Sequence, residues 1–237
     1  LCFKKNNEQL FFKAMLGMNK KTIYRYVSFD TLFSILNNHT FRMCGLAGMN
    51  DKSEIDYFDN NLGEASKIEN DIFISSCSLL KDDLTMWRLY GDDGKGVCLA
   101  LEIKDTSFDS YSLLKVDYGS KSSGHKKIDL LKELRDKAFS FKEINKWKHL
   151  FKPYEFRIEK EVRILFSSAE FPGKDLQKKW VKTFNNSIVN PVVDIPLDEK
   201  SFPFKLKKII LGAKFTEADL NQKQLKETIK DLKIGKI

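Results

Sequence analysis

The sequence predicts an α+β fold in one domain, built on a mixed or split antiparallel sheet with a helical insertion. Three observations predict it. Short β-branched and aromatic runs are interspersed with amphipathic stretches of helical period, without the regular strand–helix–strand alternation of a parallel sheet. Hydrophobic residues make up 42% and charged residues 31% of the 237 positions, which suffices for a full core and excludes disordered, collagen-like and coiled-coil chains. The 5 Pro and 12 Gly are too sparse and scattered to mark a linker, so the length is read as one elaborated domain.

Taken in order, residues 4–18 place Leu10, Phe11, Ala14, Met15 and Met18 at helical spacing, so 1–20 reads as an N-terminal helical extension and 21–237 as the α+β domain. Thr22 to Val27 is aromatic and β-branched, a strand. Ser28 to Asp30 then offer N-cap residues for a helix over Thr31–Asn37, with Leu32, Phe33, Ile35 and Leu36 inward. Asn50, Asp51 and Glu54 read as a helix N-terminus or a loop, and 60–66 as a loop or short helix. Asp71 to Ser78 is a strand ending in hydroxyl residues, and Asp83 to Tyr90 a helix carrying Met86, Trp87 and Tyr90. Dense turn chemistry at Gly91–Gly96 leads into a strand over Val97–Ile103, with another over Leu113–Tyr118. Ile128 to Trp147 has the apolar period of a long charged helix, the core of an insertion at about 125–150. Glu161 to Phe166 is a strand whose approach includes Glu159. Leu176 to Asn185 reads as helix, Val192–Ile195 and Ile209–Leu211 as strands, and Glu217–Leu232 as a terminal helix capped by Thr216.

Charge sharpens the functional question. The formal net charge of +8 is unevenly spread: Asp71–Leu114 holds eight acids against four bases, whereas Phe171–Ile237 holds fourteen lysines against eight acids. A basic segment attracts an anionic partner, nucleic acid included, although lysine-rich chains usually just carry solvated faces. Four Cys with no C-x-x-C pair read as reduced thiols in a cytoplasmic protein. The Val97–Leu101 run is far short of the ~20 residues of a membrane helix, so no membrane partner is expected. Charged residues interrupt the N-terminal apolar positions, unlike a signal peptide. The glycines at 91–96 lack the phosphate-loop pattern, and three His with four Cys never fall at zinc-ligand spacing, so no metal ligands are assigned.

Two constellations remain. Arg25 in the first strand, the hydroxyl cluster Ser75-Ser76-Cys77-Ser78, and Glu159 with Glu161 supply a cation, hydroxyls and paired carboxylates. Those parts hold a pyrophosphate, orient a ribose and stabilise an oxocarbenium-like centre as a base departs. In strand geometry the two glutamates share a face. The competing reading is structural: a surface ion pair for Arg25, serines at a strand end, an exposed strand face from Glu161 to Arg163. The second constellation is Asp92-Asp93 followed by Glu102-Ile103-Lys104, roughly the acid, acid-x-Lys arrangement of a Mg-dependent nuclease. A third alternative is a non-catalytic effector that binds nucleic acid or protein through its lysine-rich C-terminal face.

Tyr24-Arg25-Tyr26 before an immediate helix, Asn50-Asp51 with Glu54, Ser76-Cys77-Ser78, Met86-Trp87-x-x-Tyr90 leading to Lys95-Gly96-Val97-Cys98, Glu159-Lys160-Glu161-Val162-Arg163 and Ile209-Ile210-Leu211-Gly212 carry a resemblance. In order and spacing they resemble a bacterial domain-of-unknown-function family (number twenty-nine seventy-one), found in stand-alone proteins and in defence neighbourhoods. That family is distantly similar to the ADP-ribosyltransferase superfamily. The resemblance implies an ADP-ribosyltransferase-like toxin or effector, in phage defence, that uses NAD as substrate and modifies a protein or nucleic-acid acceptor, with a neutralising or sensing partner protein. It implies that Arg25 contacts the dinucleotide, that Ser76 and Ser78 match the first and last serines of a Ser-Thr-Ser strand, and that Glu161 is the catalytic glutamate with Glu159 in the preceding acidic position. Tyr24, Tyr26, Trp87 and Tyr90 are the candidate stacking residues, with core anchoring the competing role for Trp87 and Tyr90. Two departures stand out: Cys77 replaces the central Thr, and Glu161 follows Ser78 by 83 positions.

Overall fold

The computed structural model describes residues 22–45, 57, 60–61, 71–104, 110–122, 124–136, 150–170, 176–182, 189–198 and 200–231. The expected helix at 4–18, the Asn50, Asp51 and Glu54 segment, most of 60–66 and residues 137–149 of the expected insertion lie outside the described residues.

β1 (Thr22–Val27) runs into α1 (Phe29–Asn38), whose N-cap Ser28 accepts from the Thr31 N–H at 3.2 Å, and β2 (Thr40–Gly45) follows a left-handed His39. Next come β3 (Ile72–Ser78), α2 (Leu84–Tyr90, capped by Asp83), β4 (Val97–Ile103), β5 (Tyr111–Lys115) and α3 (Lys126–Asp136). A 3-10 helix at Tyr154–Glu159 leads into β6 (Glu161–Ser167), followed by β7 (Lys178–Lys182), β8 (Val189–Pro196), β9 (Phe204–Leu211) and α4 (Ala218–Asp231). All strand pairs are antiparallel, in the order β7-β8-β2-β3-β1-β4-β9, with β6 also on β3 and β5 on β6. The α+β class is therefore the observed one, and the sheet is antiparallel throughout its strand pairs.

The pairing of β3 creates the site. One edge is bonded to β6 along its whole length, Ile72↔Ser167 to Ser78↔Glu161. On the other edge β2 pairs at Phe73 and Ile74, and β1 meets β3 at Ser78. Between them the sheet opens along Ser75–Cys77. Alternation then sorts the side chains. Ile23, Phe73, Cys77, Val162, Ile164 and Phe166 face the main core, covered by Leu32, Ile35 and Leu36 of α1 and by Leu225 and Ile229 of α4. The opposite face carries Tyr26 and Cys98, against which α2 packs Met86 and Trp87.

Several expectations are corrected. The helix expected over 176–185 is not formed in its described part, 176–182: Lys178–Lys182 is strand β7, bonded to β8 from Lys178↔Val193 to Lys182↔Val189. Its Trp-Val pair suits a pleated surface, and the flanking lysines are the charges that edge strands carry. Glu159 is not in the strand with Glu161; it ends the 3-10 helix, and Lys160, at φ 42°, turns the chain before β6 begins. The described part of the long charged helix is Lys126–Asp136. The expected strand at Leu113–Tyr118 is β5, two residues earlier at its start, because pairing with β6 runs from Tyr111↔Phe166 to Lys115↔Val162. Thr216 does not cap α4: Glu217 sits at φ 50° and its carbonyl accepts the Asn221 N–H at 2.9 Å.

Two glycines of the sequence motifs have packing reasons. Gly212 N–H donates to the Gly96 carbonyl at 3.0 Å, and a Cβ on Gly212 would run into the Gly94 carbonyl, while one on Gly96 would meet the Val27 carbonyl. Gly212→Ala is therefore expected to lower the urea midpoint by the equivalent of about 1–3 kcal/mol, as overpacking against backbone does; an unchanged midpoint would refute this close approach.

Candidate functional site

A cavity of about 350 Å³ lies where the sheet opens, and Tyr24, Arg25, Tyr26, Ser76, Ser78, Tyr90, Glu159 and Glu161 all line it. Eight of the nine residues singled out from sequence are brought together. Trp87 does not line it: 6% exposed, it stacks edge-on to Tyr26 at 4.9 Å and donates from Nε1 to Asp82 at 2.8 Å. It is a core anchor. Trp87→Phe is expected to cost about 1–2 kcal/mol in a denaturant melt, the value of the lost hydrogen bond and area, and to leave ligand binding by the cavity unchanged.

The carboxylates are the electrostatic centre. Lys152, buried like both glutamates, lies 2.9 Å from Glu159 and 2.9 Å from Glu161, bridging them. Arg163, 2% exposed, reaches the Glu161 carboxylate through Nε at 2.8 Å and through its terminal nitrogen at 3.2 Å. Tyr90 donates to Glu159 at 2.6 Å. Burial pushes the Glu161 carboxyl up, but the charges of Arg163 and Lys152, with hydrogen bonds from Arg163 and Ser76, outweigh it and hold the group at about 2. Glu161 is thus ionised and its acceptor positions are largely taken. Its backbone N–H donates to the Tyr118 hydroxyl at 2.5 Å, which fixes the start of β6.

Arg25 adds a third cation from the core side of the opening. It donates to the Ser75 hydroxyl, and its guanidinium carbon lies 4.6 Å from the Phe41 ring centroid. The surface ion pair considered for it is not formed among the described residues. Ser78 lines the cavity with its hydroxyl committed to structure, donating to the Glu159 carbonyl at 2.6 Å and accepting from the Leu80 N–H at 3.0 Å. Ser76, exposed, keeps its hydroxyl on Glu161. Tyr26 is buried, donating to the Leu80 carbonyl at 3.0 Å and accepting from the Asp83 N–H at 3.0 Å, so it braces the wall. The Cys77 thiol is pushed by burial up to about 12, an inert apolar neighbour.

Lys152, Arg163 and Phe156 also line the cavity and are not among the candidate site residues read from the sequence, whereas Ser75 belongs to the hydroxyl cluster that was. Arg163 sits two residues from Glu161 on the same strand face, a spacing that was legible. Lys152 had no signal beyond its proximity to an acidic stretch, because its role depends on a carboxylate 9 positions away returning across a 3-10 turn.

The nuclease arrangement does not form. Asp92 and Asp93 precede β4 and Glu102 lies near its far end, about 17 Å along the strand from Val97. Asp93 pairs with Lys214 at 2.6 Å and Glu102 with Lys207 at 2.8 Å. Among the described residues no helix is long and apolar enough to cross a membrane, and Cys44, Cys77 and Cys98 are free thiols.

No curated protein and no solved structure matches the chain. A family model described as Protein of unknown function (DUF2971) matches residues 86–164, a third of the sequence, from α2 to the first half of β6. That segment contains Tyr90, Lys152, Glu159, Glu161 and Arg163, so the match to this family model falls where the carboxylates and both of their cations lie.

Proposed function

We propose that the cavity binds the nicotinamide–ribose half of NAD and that the protein is an ADP-ribosyltransferase-like enzyme acting on a macromolecular acceptor. The observation that carries this reading is the convergence of Arg25, Ser76 and Glu161 on one cavity at the opening of the sheet. Three cations against two carboxylates give it the net positive charge that a pyrophosphate needs, and Tyr24, Tyr90 and Phe156 are among its lining residues. A volume of about 350 Å³ is near the low end of ligand sites, which run ~300–1,000 Å³, so it suits half of a dinucleotide.

In this reading Arg25 holds a phosphate or ribose oxygen from the core side of the opening. The ribose 2′-hydroxyl takes the place of the Ser76 hydroxyl on Glu161, which stays ionised and faces the positive charge developing at C1′. The C1′–N bond breaks with its electron pair leaving on nicotinamide. A nucleophile of the acceptor forms the new bond to C1′ and releases its proton to solvent. Lys152 and Arg163 hold the carboxylate in place and keep it charged despite burial.

The test is nicotinamide release from NAD with cell extract as the acceptor source, compared between the wild type and Arg25→Ala. The expected result is turnover that falls at least tenfold in the variant; absence of NAD consumption in every condition overturns the reading. The crowded acceptor positions of Glu161 favour a second reading, in which the cavity binds a nucleotide without turnover. Saturable NAD binding by calorimetry with no nicotinamide released would identify it.

A further inference from the structure

A second cavity, of about 400 Å³, lies beside the first and is lined by Lys115, Val116, Asp117, Tyr118, Gly119, Lys127, Tyr154 and Arg157. It shares the Tyr118 wall with the carboxylate site, since Tyr118 lines it while its hydroxyl meets Glu161. Asp117 is fully engaged: it lies 3.0 Å from His125 Nδ1, accepts the Gly119 N–H at 3.1 Å and pairs with Lys127. Lys127 therefore answers Asp117, and the surplus positive charge comes from Lys115 and Arg157, both exposed and without an ion pair among the described residues. The Arg157 guanidinium carbon lies over the Tyr154 ring, 3.9 Å from its centroid, and the group donates to the Tyr154 carbonyl at 3.3 Å. A guanidinium ordered on an aromatic ring presents a planar cationic face.

We propose that this second cavity binds single-stranded nucleic acid, with one unstacked base on the Arg157–Tyr154 platform and a neighbouring phosphate on Lys115. A duplex keeps its bases stacked and cannot offer one to a concave site, whereas single strands are held by stacking on aromatic and guanidinium planes beside cations. An acidic peptide would use the charges and leave the platform idle. The net charge of +8 adds long-range attraction for a polyanion. This site differs from the lysine-rich C-terminal face considered from sequence, where Lys207 and Lys214 are paired with Glu102 and Asp93.

The experiment measures fluorescence anisotropy of a labelled 12-nucleotide mixed-sequence RNA against the full chain over a salt series, with no NAD present, so its result is independent of the transferase reading. Binding is expected to weaken at least fivefold in Arg157→Ala, the low end of base stacking. Arg157→Lys, which keeps the charge and loses the plane, is expected to recover less than half of that loss on a logarithmic scale. In Lys115→Ala the slope of log affinity on log salt is expected to fall by about 0.7, one single-strand phosphate contact. Both side chains are exposed, and a matching thermal melt shows that each variant is folded. No binding at low salt overturns the proposal. So does binding that both variants leave unchanged, or equal competition by the duplex or by a poly-glutamate peptide.

Discussion

Glu161→Gln is expected to lower nicotinamide release at least 100-fold and to destabilise the protein at the same time. The first effect is the usual size for removing one preorganised electrostatic partner of a developing charge, 10²–10³. The second follows because Arg163, 2% exposed, loses its counter-charge, and breaking a buried pair from one side costs about 3–5 kcal/mol. The two effects separate in a double variant. Glu161→Gln with Arg163→Met removes the stranded cation, so the urea midpoint is expected to recover by at least half while nicotinamide release stays lost. If activity returns with stability, Glu161 is a structural partner of Arg163 and the transferase reading fails.

Lys152→Met should destabilise the protein as strongly, and its pH dependence carries the sign. Lys152 bridges two buried carboxylates at 2.9 Å each, so its loss leaves Glu159 and Glu161 to share Arg163. At pH 7 a cost of about 3–5 kcal/mol is expected. In the wild type the folded Glu161 carboxyl is held at about 2, below its ordinary 4.5, and a depressed carboxyl contributes stability that is complete above the ordinary value. That contribution, on the order of 3 kcal/mol, is lost as pH falls from about 4.5 to about 2. In the variant, burial of Glu161 without the Lys152 charge favours a proton on that carboxylate, so stability is expected to rise as pH falls from 7 toward 5. Urea midpoints across this range read the slope directly. A variant whose midpoint falls in parallel with the wild type over the whole range would remove Lys152 from the centre of the network.

The elements legible in the sequence were those whose local signals and tertiary setting agree. β1, α1, β3, α2 and β4 fall within a residue or two of their expected bounds, because capping at Ser28 and Asp83 and the β-branched runs act over a few neighbours. Lys178–Lys182 lies in a segment whose lysines and spacing fit a helix as well as an edge strand, and pairing with β8 decides between them from outside the segment. Trp87 shows the same limit at the level of a side chain. Its place on a helix near the site was legible, whereas its direction, toward Tyr26 and Asp82, depends on how α2 docks on the sheet.

The residue types of the candidate site, one arginine, hydroxyls and two glutamates on separate segments, were determined by the sequence alone, together with the α+β class and the irregular order of its elements. The tertiary structure decided that these segments meet where β1 and β2 part from β3, and that the glutamates converge through a turn at Lys160 and a shared Lys152. The reason is physical: propensity and periodicity are properties of a few consecutive residues, while cavities, buried ion pairs and the pKa of Glu161 depend on groups that only folding brings within 3 Å of one another.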